Sequence, residues 1–411
     1  MHPDIKPDIH TAHSPIPDCG ESISMMEPMR LGEDSRHRAA LLDDALTLAQ
    51  ESSALKSSLP ADLVPTLARL VRSMNCYYSN LIEGHNTHPI DIDKALNSDF
   101  NVDPCKRDLQ LEAAAHIRVQ KWIDEGGLAN PRTSDAILEV HRRFCSQLPH
   151  ELLWVEDPST SRRERVLPGQ LRPSDVQVGQ HIAISPGAVP RFLARYNDSY
   201  SRLGKSESIL ATAAAHHRLV WIHPFLDGNG RVARLISHAM LLESLDTGAI
   251  WSVARGLARR IDEYKHLLAL CDRTRRNDLD GRGNLSEEAL AAFTRFFLST
   301  CIDQVRFMRE LMQPETLRAR ILRWAQEEAQ LGKLPARAST LLEAILYRGE
   351  LARADLPALL NTTDRQARRI TAPLLDSGVF ISESTRAPLR LAFPATLAHR
   401  WLPGLFPEKL D

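Results

Sequence analysis

Little in this chain would hold it together from outside its own core. Its six cysteines, Cys19, Cys76, Cys105, Cys145, Cys271 and Cys301, include no CxxC or CxxxC pair. That excludes a paired-cysteine zinc site and a disulfide framework, and it reads as reduced thiols in a cytoplasmic protein. No apolar run reaches the roughly 18 residues a membrane span needs, so no membrane contact is expected. No charged-then-apolar leader opens the sequence. An excess of one charge is missing too. The 51 basic and 52 acidic residues leave a net charge of −1, so no global basic field argues for nucleic acid. What remains is a globular composition, 43% hydrophobic and 25% charged, and 411 residues, enough for two or three domains.

The densest chemistry lies in His223-Pro224-Phe225-Leu226-Asp227-Gly228-Asn229-Gly230-Arg231-Val232-Ala233-Arg234. Apolar, helix-like runs flank it, Ile209 to Ile222 before and Val232 to Leu245 after. The polar cluster therefore sits in a loop that ends where a second helix begins. Gly228 and Gly230 permit backbone angles a side chain would forbid. Successive N–H groups can then hold an anion, helped by the positive end of the following helix. Arg231 and Arg234, three apart, suit phosphate oxygens. Asp227 offers the hard oxygen that Mg²⁺ with a nucleotide prefers. His223 can take a proton near neutral pH. Together these are a base, a metal ligand and a polyphosphate clamp.

Three plainer readings compete. Gly228-x-Gly230-x-x-Ala233 also fits a dinucleotide fingerprint, but that motif needs a βαβ unit and these flanks read helical. His216, His217 and His223 invite zinc, without the spacing a zinc site shows. A simple Gly-rich helix start explains neither the histidine nor the aspartate.

The stretch resembles the Fic motif, HxFx(D/E)GNGRxxR, at all eight specified positions: His223, Phe225, Asp227, Gly228, Asn229, Gly230, Arg231 and Arg234. Members of that family mostly transfer the AMP part of ATP onto a hydroxyl side chain of a target protein. The resemblance implies His223 as catalytic base and Asp227 as the Mg²⁺ ligand. It implies Gly228, Asn229, Gly230, Arg231 and Arg234 as nucleotide-binding, with Tyr264 as a looser match to a tyrosine near the base. Ser79-Asn80-Leu81-Ile82-Glu83-Gly84 resembles the family's inhibitory motif, (S/T)xxxE(G/N), in the class whose inhibitory helix precedes the core. Ser79, Glu83 and Gly84 would then be inhibitory, Glu83 reaching Arg234 and Ser79 bracing the helix end. On its own, Glu83 is as well read as a solvated charge at a helix end.

The expected fold is mainly α: a Fic-type helical core with a small β-hairpin flap, and a C-terminal winged helix-turn-helix. Residues 1–35, rich in Pro, His, Asp and Ser, read as a mobile arm. Residues 36–130 read as an N-terminal helical region and 131–312 as the Fic core. A connecting helix follows over 313–335, then a winged-helix-like domain over 336–411. Helical spacing predicts helices from about Arg36 to Ser57, Pro60 to Ile82, Ile90 to Leu96, Leu109 to Ile123 and Thr133 to Leu148. His116 and His141 read there as core or edge histidines. Arg162 to Arg165 read as a charged loop. Alternation around Gly179-Gln180 predicts a hairpin. The resemblance makes it a flap on which Val176, Gln177 and Val178 dock target main chain by strand addition. Further helices are expected from Pro190 to Leu203, Val253 to Leu270 and Glu287 to Met312. Asp278 to Ser286 is similar to a calcium loop but fails at its fifth and twelfth positions, Arg282 and Ala289.

In the last region three short helices, Ala338–Tyr347, Arg353–Leu360 and Thr363–Ser377, precede two strands, Val379–Ser382 and Leu389–Phe393. Arg365, Arg368 and Arg369 lie where a winged helix would contact DNA. Such modules also dock proteins, and Asp364 and Asp376 dilute the charge, so both roles stay open. The expected partners are ATP, a target protein hydroxyl (this chain's own included) and, as the resemblance allows, a second copy or DNA. Two alternatives remain. One is a nucleotide-sensing transcription regulator. The other is a Fic enzyme that transfers another phosphate-containing group or removes AMP.

Overall fold

The computed structural model describes residues 16–61, 63–96, 98–156 and 161–406. It is mainly helical, as expected, with three small antiparallel sheets. The first helices are α1 (Arg38–Ser57), α2 (Leu63–Ile82), α3 (Pro89–Leu96), α4 (Pro104–Asp124) and α5 (Ser134–Cys145). Strands β1 (Trp154–Glu156) and β2 (Arg163–Arg165) pair, then β3 (Gln177–Val178) and β4 (His181–Ile182). Next come α6 (Val189–Tyr200), α7 (Lys205–Ile222), α8 (Asn229–Leu245), α9 (Val253–Arg259), α10 (Ile261–Cys271), α11 (Glu287–Leu311) and α12 (Pro314–Gln330). The chain ends with α13 (Ala338–Arg348), β5 (Glu350–Leu351), α14 (Leu356–Leu359), α15 (Asp364–Asp376), β6 (Phe380–Ile381), β7 (Leu389–Leu391) and α16 (Ala395–Trp401).

Helices α7 and α8 form the central pair, joined by the His223–Gly228 loop. Both are buried nearly all round, which is why their sequences lack a polar face. Ala211, Ala213, Ala214 and Ala215 let the neighbours of α7 approach closely. One apolar core joins α1, α2 and α9–α13 to the C-terminal elements. A second joins α5–α8 beneath the loop.

Several expectations are corrected. Within the arm expected over residues 1–35, residues 1–15 lie outside the described residues, but residues 16–35 are anchored. Met26 and Met29 are buried. Tyr200 Oη donates to Met29 O at 2.5 Å, Arg218 Nη2 to Pro28 O at 2.8 Å, and Glu27 pairs with Arg195. The segment lacks periodicity because it is held by its carbonyls, its carboxylates and single apolar side chains, not by a regular face. The loop at Arg162–Arg165 is edged by β2, whose Glu164 sits opposite Val155. The helix expected from Val253 to Leu270 is two helices, because Arg260 leaves helical angles (φ −123°, ψ 39°). Arg353–Leu360 splits into a tight turn and the single-turn α14.

The C-terminal elements are α13, α14 and α15 with a three-stranded sheet in the order β5-β7-β6. They are not detached. Trp324 of α12 meets Trp401 edge to face at 5.1 Å. Tyr78 Oη donates to Leu405 O at 3.2 Å, and Arg255 Nη2 to Gly404 O at 2.7 Å. The end of the described chain thus rests on α2. Among the described residues, no helix is long and apolar enough to cross a membrane.

Candidate active site

His223 caps α7 in the left-handed region (φ 50°, ψ 62°), unusual for a side chain with a Cβ. Its neighbours fix that turn. Its N–H bonds Leu219 O, and Phe225 N–H donates to Asn229 Oδ1 at 3.0 Å while Asn229 Nδ2 returns to Phe225 O at 2.8 Å. The Asn229 side chain is therefore committed to bracing the loop, and only its backbone N–H is left for a nucleotide. Gly228, at φ 81°, turns the chain into α8. The first-turn N–H groups of α8 stay without helical partners there, as at any helix start.

The His223 ring sits 3.3 Å from Val220 O through Nδ1. A carbonyl only accepts, so Nδ1 carries the proton and Nε2 keeps a free lone pair. Burial pushes the His223 pKa down to about 4, so the ring is neutral at physiological pH. Two residues on, Phe225 is stacked on His141 at 3.7 Å and 3°. His141 accepts from Gly169 N–H and is pushed down to about 4 by burial. It is a neutral core ring, as its place in α5 suggested.

Asp227 projects from the loop and bonds Arg231 Nη2 through Oδ2 at 2.8 Å. Burial works to raise its pKa, but Arg231 and the Gly228 N–H outweigh that and hold it low, so it is ionised. Arg231 is also 3.1 Å from Glu112 of α4 and lies over the Phe144 ring at 4.9 Å. Burial disfavours its charge, yet Asp227, Glu112 and Glu83 more than offset this. Glu112 in turn holds His85, one residue beyond Gly84, at 2.9 Å. Sequence reading missed Glu112 and His85, which belong to no motif.

Arg234, on the same end of α8, is almost fully buried. Nη2 donates to Glu83 Oε1 at 2.5 Å and to Ser79 O at 3.1 Å, while Nε donates to Ser79 Oγ at 2.8 Å. The expected meeting of Glu83 and Arg234 is present, through one carboxylate oxygen. Ser79 binds the arginine itself rather than its own helix end. Gly84, at φ 87°, ends the turn. Gly230 admits Glu83, since a Cβ there would lie 2.5 Å from Glu83 Oε1. The carboxylate therefore sits over the first turn of α8, where an anion is favoured.

Tyr264 lies beneath this pair, beside Arg234 and almost fully buried. Ser237 gives its hydroxyl proton to Ala233 O, so His216 Nδ1–H donates to Ser237 and Tyr264 Oη donates to His216 Nε2 at 2.7 Å. Tyr264 thus supports Arg234 from below and presents no open ring face. His217 bonds Asp272 and Arg218, so His216 and His217 are each engaged away from His223.

The flap hairpin β3–β4 turns at Gly179, at φ 60°. Val178 is 48% and Ile182 75% exposed, and both residues of β3 face solvent, leaving an open, partly apolar edge. Val176 O accepts from Ala183 N–H at its base. Arg365, Arg368 and Arg369 are exposed on α15, remote in sequence from this site.

Residues 131–241 match the Fic/DOC family model. A protein adenylyltransferase Fic of Nematostella vectensis is 29% identical over 198 residues, 46% of this chain and 42% of that protein. The one of Culex quinquefasciatus is 30% identical over 176 residues, 41% of this chain and 31% of that protein. This chain therefore spans less than half the length of these relatives. Among solved structures, a Fic family protein from Desulfovibrio desulfuricans G20 is similar with a TM-score of 0.51 at 17% identity, over 88% of this chain and 98% of that one. At that identity the likeness concerns the fold. Residues 131–241 thus carry a Fic/DOC family domain, with the loop, His223 and both arginines assembled at the head of α8, and Ser79, Glu83 and Glu112 reach this site from outside the matched residues.

Proposed function

We propose that the protein is an adenylyltransferase that moves AMP from ATP onto a hydroxyl side chain of a target protein, and that Glu83 holds it inactive. The observation that carries this reading is the free Nε2 of His223 at the end of α7, next to an anion-binding helix start whose Arg234 is held by Glu83. The names of the relatives point the same way.

In this reading the target main chain adds along the open edge of β3, at Val176, Gln177 and Val178, and presents a Ser, Thr or Tyr hydroxyl. His223 Nε2 accepts the hydroxyl proton. The hydroxyl oxygen forms a bond to the α-phosphorus, the bond to the bridging oxygen breaks, and pyrophosphate leaves. Backbone N–H groups at Gly228, Asn229 and Gly230 hold phosphate oxygens, and Arg231 and Arg234 orient the chain of phosphates. Asp227, ionised and the most exposed carboxylate of the site, fits Mg²⁺, which nucleotide sites hold by one or two carboxylates with phosphate oxygens and waters. Bound there, the ion would offset charge developing on the phosphates.

Incubation of the purified protein with Mg²⁺ and ATP labelled at the α-phosphate, followed by mass spectrometry, tests the reading. A mass gain of one AMP on a hydroxyl supports it. Another added group, or removal of AMP from a modified substrate, points to a different reaction in the same site. A cytoplasmic setting belongs to this reading through the unpaired cysteines, and a homodimer enters only through the resemblance.

A second reading concerns the C-terminal elements. The helix order and the three-stranded sheet fit a winged helix, and Arg365, Arg368 and Arg369 make no ion pair among the described residues. That favours DNA contact over a purely structural role. The packing of the end of the described chain on α2 and α9 supports the other role, a structural one within this chain.

A further inference from the structure

Arg172, on the segment between β2 and β3, is 1% exposed and spends its guanidinium on backbone carbonyls alone. Nε donates to His223 O at 2.7 Å, Nη1 to Ser174 O at 2.8 Å, and Nη2 to Ile184 O. Its own N–H donates to Pro224 O at 2.9 Å. It makes no ion pair among the described residues. Burying a cation without a paired carboxylate is costly: desolvation pushes its pKa down to about 10, and the more distant charges of Asp175 and Glu21 offset only part of that. Rules of this kind are broken where a precise geometry is needed.

The carbonyls it binds define that geometry. Ser174 precedes β3 and Ile184 follows β4, so two arms of the guanidinium clasp both limbs of the flap at its base. A hairpin of two-residue strands is too short to be stable alone. The third arm and the backbone N–H hold His223 and Pro224, the turn whose left-handed angles carry strain and persist only where surroundings over-determine them. His181 of β4 adds a parallel strut, its Nε2–H donating to Trp221 O at 2.8 Å. The planar fork of arginine suits three diverging carbonyls as a lysine ammonium does not.

We propose that Arg172 is a positioning residue that holds the flap and the His223 base in one register, so that a target strand on β3 arrives with its hydroxyl within reach of Nε2. This rests on the function proposed above.

The test uses the full chain with Arg172→Met and Arg172→Lys, each made in wild type and in Glu83→Gly. Hydrogen–deuterium exchange reads the clamp without any activity. In Arg172→Met, peptides covering 174–184 and 223–228 should lose protection together, by about tenfold or more, while α8 and α11 stay protected. In the Glu83→Gly background, self-modification with α-labelled ATP should slow on the order of 10²-fold at an unchanged KM for ATP. Arg172→Lys, which keeps the charge and reaches fewer carbonyls, should fall between. Loss of protection in the flap alone, or in neither segment, overturns the proposal, as does an effect on KM for ATP with the rate unchanged. If Arg172→Met loses protection throughout, the lysine variant decides by the same criteria. If Glu83→Gly shows no transfer while folded, the proposed function fails, and the exchange data still decide the clamp.

Discussion

Glu83 Oε1 and Arg234 Nη2 meet at 2.5 Å, across 151 positions of sequence, while Ser79 takes the Nε of the same arginine. Two of the three nitrogens of the guanidinium are thereby committed to α2. Burial opposes a charged Glu83, but Arg234 outweighs it and holds the carboxyl below its ordinary range, so the pair is ionised at neutral pH. Under the proposed function, a terminal phosphate seeking a two-pronged grip on Arg234 would compete with Glu83 for Nη2.

Glu83→Gly should therefore raise self-modification, by roughly 10-fold or more, the scale of a coupling worth a few kcal/mol. Glu83→Asp should release only part of that, since a shorter arm still approaches Arg234. Glu83→Gly with His223→Ala should be silent again. Label transfer from ATP measures all three. No gain in folded Glu83→Gly protein would reduce Glu83 to a structural partner of Arg234.

His223→Ala should lower transfer by about 10²–10⁴ and leave ATP binding in place, because the phosphate ligands are other groups. The pH profile carries a second check. Under the proposed function the neutral ring is the base, and burial lowers its pKa to about 4. The rate should rise with pH through about 4 and be level by neutrality, with no inflection near the ordinary histidine value of 6.5. An acid limb centred near that ordinary value would mean the ring is more solvated when ATP is bound.

The motif was legible because its residues are contiguous: the loop supplies His223 and Asp227, and the first turns of α8 supply both arginines. Glu83 was legible because its spacing from Ser79 and Gly84 is itself a pattern. Glu112, His85 and Arg172 were not, since each works through a partner that only tertiary packing supplies. Arg172 looks in sequence like any arginine before a proline, and nothing local predicts three carbonyls around it. The short pieces failed for another reason. Strand β5 and helix α16 span 2 and 7 residues, too few for a period to show. Residues 16–35 have no helical or strand period, and are held by single contacts such as Tyr200 to Met29 O and Arg218 to Pro28 O.

Asp227→Ala should weaken ATP binding in Mg²⁺ by at least about tenfold, the lower bound for losing even a residue that only orients a metal ligand. Binding in the presence of a chelator should change far less. Calorimetry with and without Mg²⁺ separates the two, and equal losses in both would argue that Asp227 acts through Arg231 instead.

If the C-terminal elements bind DNA, they do so through α15, where Arg365, Arg368 and Arg369 are exposed. Replacing all three with alanine in the full chain should lower the salt dependence of binding by about 0.9 per lost phosphate contact. Fluorescence anisotropy against salt reads it. Absence of binding to duplex DNA at low salt leaves the docking role.

The last prediction concerns His85, which ties the end of the Glu83 helix to α4. Its hydrogen bond to Glu112 raises its pKa above the ordinary 6.5, against burial, and Glu112 and Glu83 favour its charge while Arg231 opposes it. A raised folded pKa means that protonation stabilises the fold. That stabilisation is fully present below the unfolded value and is lost as pH rises through the folded one. Wild type and His85→Gln should therefore differ in thermal unfolding most at about pH 5.5, and the difference should shrink towards about pH 8.5. Glu112→Gln should remove most of the pH dependence of that difference, because it removes the largest cause of the raised histidine and leaves only Glu83, while also costing stability at all pH through Arg231. Scanning calorimetry across the range measures both. A difference that grows with pH, or survives unchanged in Glu112→Gln, would show that His85 stabilises the helix end through packing and not through its proton.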